Sequence, residues 1–219
     1  MTEVEGRASD RDSLDMIDNQ RLSQLGIEAV HHESIGCWLS LLSQWNVRID
    51  LTAARSDDEL CDLMLADAAM LAKYISLSGR VVDVGSGAGA PGLALAIVRP
   101  DLKVTLVEPQ RKRLAFLRTV IGTLDRRDIE LTCDRGEHLA REVREPSGKW
   151  SQWDVAISRA TLKPDAWVRL GLGLARAAWA LLARDEPPVI EGARIDEDIA
   201  YRWPLTGATR RAVRYVACQ

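Results

Sequence analysis

Cysteine is scarce in this chain of 219 residues and is nowhere arranged for chemistry. Cys37, Cys61, Cys133 and Cys218 form no C-x-x-C pair and have no paired histidines beside them, which excludes a zinc finger and a disulfide-stapled scaffold. They are expected as free thiols in a reducing compartment, mostly buried as small apolar residues. The adjacent His31 and His32 cannot share one helical face, so no metal site is expected. No apolar run approaches the roughly 20 residues that span a bilayer. The opening Met1-Thr2-Glu3-Val4-Glu5-Gly6-Arg7 is too polar for a signal peptide. A cytoplasmic protein with no membrane partner is expected. Excess charge is missing too: 29 Lys and Arg against 32 Asp and Glu leave −3, so the field of the whole chain draws no polyanion. Any contact with nucleic acid has to come from local clusters such as Arg111-Lys112-Arg113, Arg126-Arg127 or Arg210-Arg211, each of which also reads as a solvated face. Internal repeats and low-complexity segments are absent as well.

What the chain does have is one organising stretch, Arg80-Val81-Val82-Asp83-Val84 followed by Gly85-Ser86-Gly87-Ala88-Gly89-Ala90-Pro91-Gly92. A β-branched run ends in a glycine-rich turn, and an apolar helical pattern from Leu93 to Val98 follows. In that context glycines let a ligand lie against the main chain, and the helix start offers free N–H groups to an anion. The next strand pattern, Lys103 to Val107, ends at Glu108, about 20 residues beyond the glycines, where a carboxylate accepts hydrogen bonds from ribose hydroxyls. A dinucleotide site prefers G-x-G-x-x-G. Here position 90 is Ala and Gly89 follows Gly87 by two, and this tighter form with Asp83 ahead of it suits S-adenosylmethionine better.

With 47% hydrophobic residues the chain can build a core of ordinary size. Residues 1–19 are polar and expected to fray, 20–75 read as a helical extension packed on the core, and 76–219 as the core domain. Apolar positions at helical spacing predict two helices between Leu22 and Trp45, parted near Gly26 and His31-His32. The stripe Trp38, Leu41, Leu42, Trp45 faces the body of the protein. Ser56-Asp57-Asp58-Glu59 reads as a helix start. That helix carries Asp67, either a solvated helix charge or a site residue. Strand and helix then alternate, which argues a parallel sheet. Strands are expected at 80–84, 103–107, 128–132, 153–157 and 178–183, with helices at 91–99, 111–123, 137–144 and 164–176. Helix competes with strand at 178–183. Strands at about 198–203 and 211–217 are expected to pair antiparallel.

Ligands in open α/β sheets bind at the carboxyl ends of the strands. That rule gathers Gly85–Ala90, Glu108, Asp134–Glu137 and Ser158-Arg159 on one rim. The pattern describes the Rossmann-like class I methyltransferase fold: a mostly parallel, seven-stranded sheet with an antiparallel C-terminal hairpin, preceded by N-terminal helices.

From about residue 35 onward the chain resembles the bacterial 16S ribosomal RNA guanine-N7 methyltransferases, also called glucose-inhibited division protein B. Asp50-Leu51-Thr52-Ala53 is similar to that family's N-L-T-A, and the stretch Asp83 to Gly92 to its D-I-G-S-G-x-G-F-P-G. Glu108, Lys112-Arg113 and Phe116-Leu117 match L-x-[DE]-x(3)-K-R-x(2)-F-L, Arg135-Gly136-Glu137 matches R-x-E, and Asp154 to Ala160 matches D-x-[VI]-x-S-R-A. The hairpin from Pro204 to Val216 also resembles the family's. The resemblance implies that S-adenosyl-L-methionine is the cofactor, with Gly85 and Ala90 lining it and Gly136 and Glu137 flanking its adenine. Arg159 then borders cofactor and substrate. Together with Asp83, Gly87, Gly89 and Glu108, these complete the expected cofactor site. Asp67, Arg159 and Arg184 are the expected substrate-positioning residues, with no residue acting as general base.

The implied substrate is 16S rRNA in the small ribosomal subunit, at a guanine N7 of the conserved 530 loop; a monomer is expected. The chain departs from the family at Met64, where a histidine is usual, at Ala90, where phenylalanine is usual, and at Arg184, which takes the place of a lysine. It also lacks the Asn/Asp-Pro-Pro-Tyr/Phe tetrapeptide of exocyclic-amine methylation and the Pro-Cys nucleophile of pyrimidine C5 methylation. Both absences suit ring-nitrogen methylation and suit small-molecule methyltransferases equally. A divergent paralogue acting on a small molecule, or binding cofactor or RNA without turnover, is the alternative. Arg159 likewise reads either as a substrate contact or as the partner of a nearby Asp.

Overall fold

The structure, a computed structural model, describes residues 19–75, 79–145, 148 and 150–218. The polar start expected over 1–19 lies, up to residue 18, outside the described residues. So do positions 76–78, where the extension was expected to give way to the core domain.

Helix α1 (Asn19–Gln24) and a 3₁₀ turn (Ala29–His31) lead into α2 (His32–Asn46). Trp38 and Leu42 of the expected stripe are fully buried in α2, while Leu41 and Trp45 pack on the core from its edge. Ser56 caps the next helix by accepting the Glu59 N–H at 3.2 Å, and the Glu59 carboxylate takes the Arg55 N–H at 2.9 Å, a near-reciprocal cap. The helix then runs as α3 (Asp57–Cys61), a π-helical turn (Asp62–Ala66) and α4 (Asp67–Leu71).

From there strand and helix alternate: β1 (Arg80–Val84), α5 (Gly92–Val98), β2 (Lys103–Val107), α6 (Arg111–Thr123), β3 (Glu130–Thr132), α7 (Gly136–Glu142), β4 (Trp153–Arg159), α8 (Pro164–Leu174) and β5 (Ala175–Leu182). Two long strands close the chain, β6 (Ala193–Arg202) and β7 (Thr209–Ala217). The seven strands lie in the order β3-β2-β1-β4-β5-β7-β6. The first five are parallel, and β7 runs antiparallel between β5 and β6. This is the expected class I methyltransferase sheet. Alternating residues divide it between two cores. Val81 and Val104 face α2, α5 and α6, whereas Val82, Val84 and Val107 face α7 and α8.

Three expectations need correcting. The fifth strand, expected at 178–183 with helix as its rival, is strand but spans 175–182, starting three residues earlier than expected. Lying between β4 and β7 with six of its eight residues buried, it follows its pairing rather than alanine's helix preference. Strand β6 starts five residues before the expected 198 because its outer half carries charge. Arg211 pairs with Asp198 at 2.7 Å and Arg214 pairs with Asp196, so acidic residues that read as loop form an edge strand guarded by cross-strand ion pairs. Of the cysteines only Cys61 is buried, and burial pushes its thiol up to about 12; Cys133 and Cys218 are exposed on a loop and at the end of β7, and Cys37 is intermediate. All four are free thiols.

Candidate active site

The strand order reverses between β1 and β4, and the loops that leave their carboxyl ends diverge there into a crevice. The glycine loop follows β1. Gly85, Gly87 and Gly89 take φ of 75°, 55° and 105°, a region that β-carbons disfavour. A Cβ on Gly85 would lie 2.5 Å from Thr161 Oγ1, so the loop is pressed against the turn after β4. That turn is tied down as well. Ser158 Oγ donates to the Val84 carbonyl at 2.7 Å and lies 2.8 Å from Thr161 Oγ1, and Thr161 Oγ1 donates to the same carbonyl at 3.1 Å. Ala160 between them sits at φ 54°, a strained conformation for a residue with a Cβ. Above Gly87 the protein leaves space: a Cβ there would meet nothing closer than the Gly85 carbonyl at 3.8 Å. Helix α2 braces the loop from outside through Trp38 Nε1, which donates to the Ala88 carbonyl at 3.1 Å.

A cavity of about 590 Å³ opens at this rim. Gly85, Glu108, Gly136, Glu137 and Arg159 line it, as do Arg113 and Arg135. Glu108 is 2% exposed and accepts the Gly87 N–H at 2.9 Å and the Gln110 N–H at 2.7 Å. The bond to Gly87 joins the β1 and β2 loops and fixes the carboxylate at the wall. Gly136 has no room for a side chain, since a Cβ would lie 2.8 Å from Val84 Cγ1. The remaining expected cofactor residues lie behind the wall. Asp83 is 1% exposed beneath the loop, where Oδ2 accepts the Gly92 N–H at 3.0 Å. Gly92 admits it by lacking a Cβ, which would fall 2.4 Å from that oxygen. Asp83 Oδ1 has no hydrogen-bond partner among the described residues, and burial raises the carboxyl to about 7 against the Gly92 bond. Gly89 packs on Leu93 and Trp38, and the buried Ala90 precedes Pro91. These residues shape the loop from below.

A second cavity, of about 270 Å³, shares the wall Arg159-Ala160-Thr161-Leu162 with the first. Leu63, Asp67, Trp167, Tyr201, Trp203 and Arg210 are among its other lining residues. Asp67 is no solvated helix charge. It is 3% exposed, and its Oδ1 accepts from Tyr201 Oη and from Trp203 Nε1, each at 2.8 Å, while Oδ2 faces Arg159 Nη1 at 3.2 Å. Arg159 Nη1 also donates to the carbonyl of Leu63 in the π-helical turn, a distortion common at functional sites. Arg159 therefore pairs with an aspartate, one of its two readings, and it also lines both cavities. Burial, followed by the charge of Asp67, pushes the Tyr201 phenol well above its ordinary range.

Asp62, also in the π-helical turn and fully buried, accepts the Thr206 N–H and Thr206 hydroxyl at 2.7 Å each. The N-terminal helices and the C-terminal hairpin are thereby clamped together, and both furnish walls of the site. Arg184 lies on the exposed stretch after β5, between the cavity-lining Ala183 and Asp185. Tyr201 and Trp203 were not legible as site residues. Tyr201 near the end of β6 and Trp203 just beyond it are two residues apart and point the same way, but nothing in the sequence indicates that Asp67 lies opposite. Among the described residues no cluster of three or more His, Cys, Asp or Glu is placed to hold a metal ion, and no helix is long and apolar enough to cross a membrane.

Residues 31–183 match the family model described as GidB, rRNA small subunit methyltransferase G. The ribosomal RNA small subunit methyltransferase G of Geotalea uraniireducens is 33% identical over 188 residues, 80% of this chain and 83% of that protein. The protein of the same name from Mycobacterium leprae is 36% identical over 162 residues, 74% of this chain but only 61% of its own length. Among solved structures, a mutant of MtNAS in complex with S-adenosylmethionine aligns over 94% of this chain and 86% of its own with a TM-score of 0.54 at 14% identity. TrmK of M. capricolum, in complex with S-adenosyl-homocysteine, gives 0.54 at 9% identity over 72% of this chain and 70% of its own. At such identities these two likenesses show the fold alone.

Proposed function

The chain belongs to the GidB, or rRNA small subunit methyltransferase G, family, and from that premise and its paired cavities we propose that it methylates N7 of a guanine in the 530 loop of 16S rRNA. S-adenosylmethionine is the cofactor this reading requires, and it supplies an electrophilic methyl group on a sulfonium. The residues present fit it. Glu108, Gly136 and Glu137 line the cavity; Glu108 at the end of β2 would take the ribose hydroxyls and Gly136 and Glu137 would flank the adenine, while the glycine loop has room at Gly87 for a close approach. The cavity of about 590 Å³ is of the size that holds such a ligand.

The single observation that carries the reading is the shared wall. Arg159 to Leu162 border both the larger cavity and the smaller one, so a base held in the second would lie next to a methyl donor held in the first. Guanine N7 bears a free lone pair, so no side chain has to remove a proton. The protein's part is to hold the base in line with the methyl group and to keep water away. Asp67, Tyr201 and Trp203 do this indirectly by fixing Arg159 and the cavity floor. Of the basic residues near the rim, Arg113 and Arg159 line the crevice, while Arg111, Lys112 and Arg184 are exposed outside its walls. A cytoplasmic monomer is part of the same proposal.

The test is transfer of tritiated methyl from S-adenosylmethionine to 30S particles and to protein-free 16S rRNA, both from a strain lacking this methyltransferase. Label at one guanine N7, lost in Gly87→Asp and Arg159→Ala, is expected. No label on either RNA with cofactor binding intact refutes the proposal and favours a small-molecule substrate or a silent paralogue.

A further inference from the structure

The second cavity has a cationic residue that the family match does not reach. Arg210 lies on β7, beyond residues 31–183, and its guanidinium sits 3.7 Å above the centroid of the Trp203 ring. Trp203 does not depend on Arg210 for its place. Its indole N–H is anchored on Asp67, its backbone N–H donates to the Ala208 carbonyl at 2.9 Å, and its own carbonyl accepts the Gly207 N–H at 3.0 Å. The ring is thus a prepared platform, and the guanidinium resting on it is aimed rather than free.

Its neighbours on β7 are used differently. Arg211 is paired with Asp198 and Glu186, and Arg214 with Asp196. Arg210 has no carboxylate within ion-pair distance among the described residues, and one guanidinium N–H goes to the Thr209 carbonyl at 2.8 Å, leaving most of its five donors free. It faces the same cavity as Arg159, whose charge Asp67 already offsets. Asp185 also lines this cavity from its exposed stretch, so the cavity has no general positive field; what Arg210 adds is an oriented fork.

We propose that Arg210, stacked on Trp203, grips a phosphate of the RNA strand beside the target nucleotide and so positions that nucleotide in the second cavity. The inference rests on the rRNA reading above. Arginine also pairs with the O6/N7 edge of guanine, but in this reaction N7 has to remain free, which leaves the backbone phosphate as its anion.

The experiment uses the full chain with S-adenosylmethionine for kinetics and S-adenosyl-homocysteine for binding, with 30S particles or 16S rRNA as substrate. Arg210→Gln is expected to raise KM for the RNA about tenfold, the effect of one lost contact, with kcat falling far less. It is also expected to flatten the plot of log Kd against log salt by about 0.7, one single-strand phosphate, and to leave cofactor affinity unchanged. Arg210→Lys is expected to restore the salt slope but not the affinity, because an ammonium is a point charge without the planar fork. Arg211→Gln is expected to leave the salt slope unchanged. A purely structural role would lower the melting temperature of Arg210→Gln with KM and salt slope as in wild type, and that result overturns the inference while the rRNA reading stands. Wild-type protein that methylates neither RNA overturns both.

Discussion

Replacing Asp67 with alanine tests the clamp that builds the substrate side of the crevice. The carboxylate is 3% exposed and is shared by Tyr201 Oη, Trp203 Nε1 and Arg159 Nη1. Its loss strands three donors at once. An unsatisfied buried donor costs roughly 1–3 kcal/mol, and breaking a buried ion pair from one side costs roughly 3–5 kcal/mol. Those figures do not add in full here. The Arg159 side chain is 18% exposed and keeps its bond to the Leu63 carbonyl, and the adjoining cavity admits water to Tyr201. The indole N–H of Trp203, 5% exposed, has least recourse. A loss of about 3–4 kcal/mol is therefore expected, or more than two decades in the folding equilibrium. Urea denaturation followed by tryptophan fluorescence measures it as a lower midpoint at unchanged slope. Trp203→Phe, which removes a single donor, should cost about 1–2 kcal/mol. Asp67→Ala in that background should cost less than in wild type, because the two residues share a bond. A loss below about 1 kcal/mol for Asp67→Ala, or strict additivity with Trp203→Phe, would refute the argument that this aspartate holds the hairpin to the helices.

Two further perturbations probe the glycine loop. Asp83 is held near 7 by burial, above the ordinary carboxylate value it has in the unfolded chain. Its contribution is fully present below about pH 4 and is lost as pH rises through about 7. Wild-type stability should therefore fall by a few kcal/mol relative to Asp83→Asn between those limits, read as urea midpoints at pH 5, 6, 7 and 8; a difference that stays constant with pH would contradict the burial argument. Gly85→Ala forces a β-carbon into a left-handed conformation 2.5 Å from Thr161 Oγ1. A destabilisation of about 2–4 kcal/mol by strain and overpacking is expected, together with loss of cofactor affinity by calorimetry; wild-type affinity would show that the loop does not shape the cavity.

Much of this protein is legible along the chain because its signals are local. A β-branched run, a glycine turn and an acidic residue about 20 positions on specify strand, loop and a carboxylate beside it within one βαβ unit, and all three fall where the rim rule puts them. Strands β1 and β2 and helix α6 occupy their expected residues because hydrophobic alternation and helical spacing need only near neighbours. Sequence alone also gathers Glu108, Gly136 and Arg159 on one rim, since each ends a strand or opens a helix at the same edge, and all three line one cavity.

Only the tertiary structure decided what depends on distant partners. The strand expected at 178–183 wins over its helical rival, and begins already at Ala175, because β4 and β7 flank it against the helix preference of its alanines. The charged outer half of β6 is strand because Arg211 and Arg214 face it across the ladder. Asp67 is a buried acceptor because Tyr201 and Trp203, more than 130 residues later, donate to it. No periodicity within one segment encodes such pairings. They follow from which faces meet when seven strands close around two cores, and that meeting turns an ambiguous helix aspartate and two unremarked aromatics into the wall of the site.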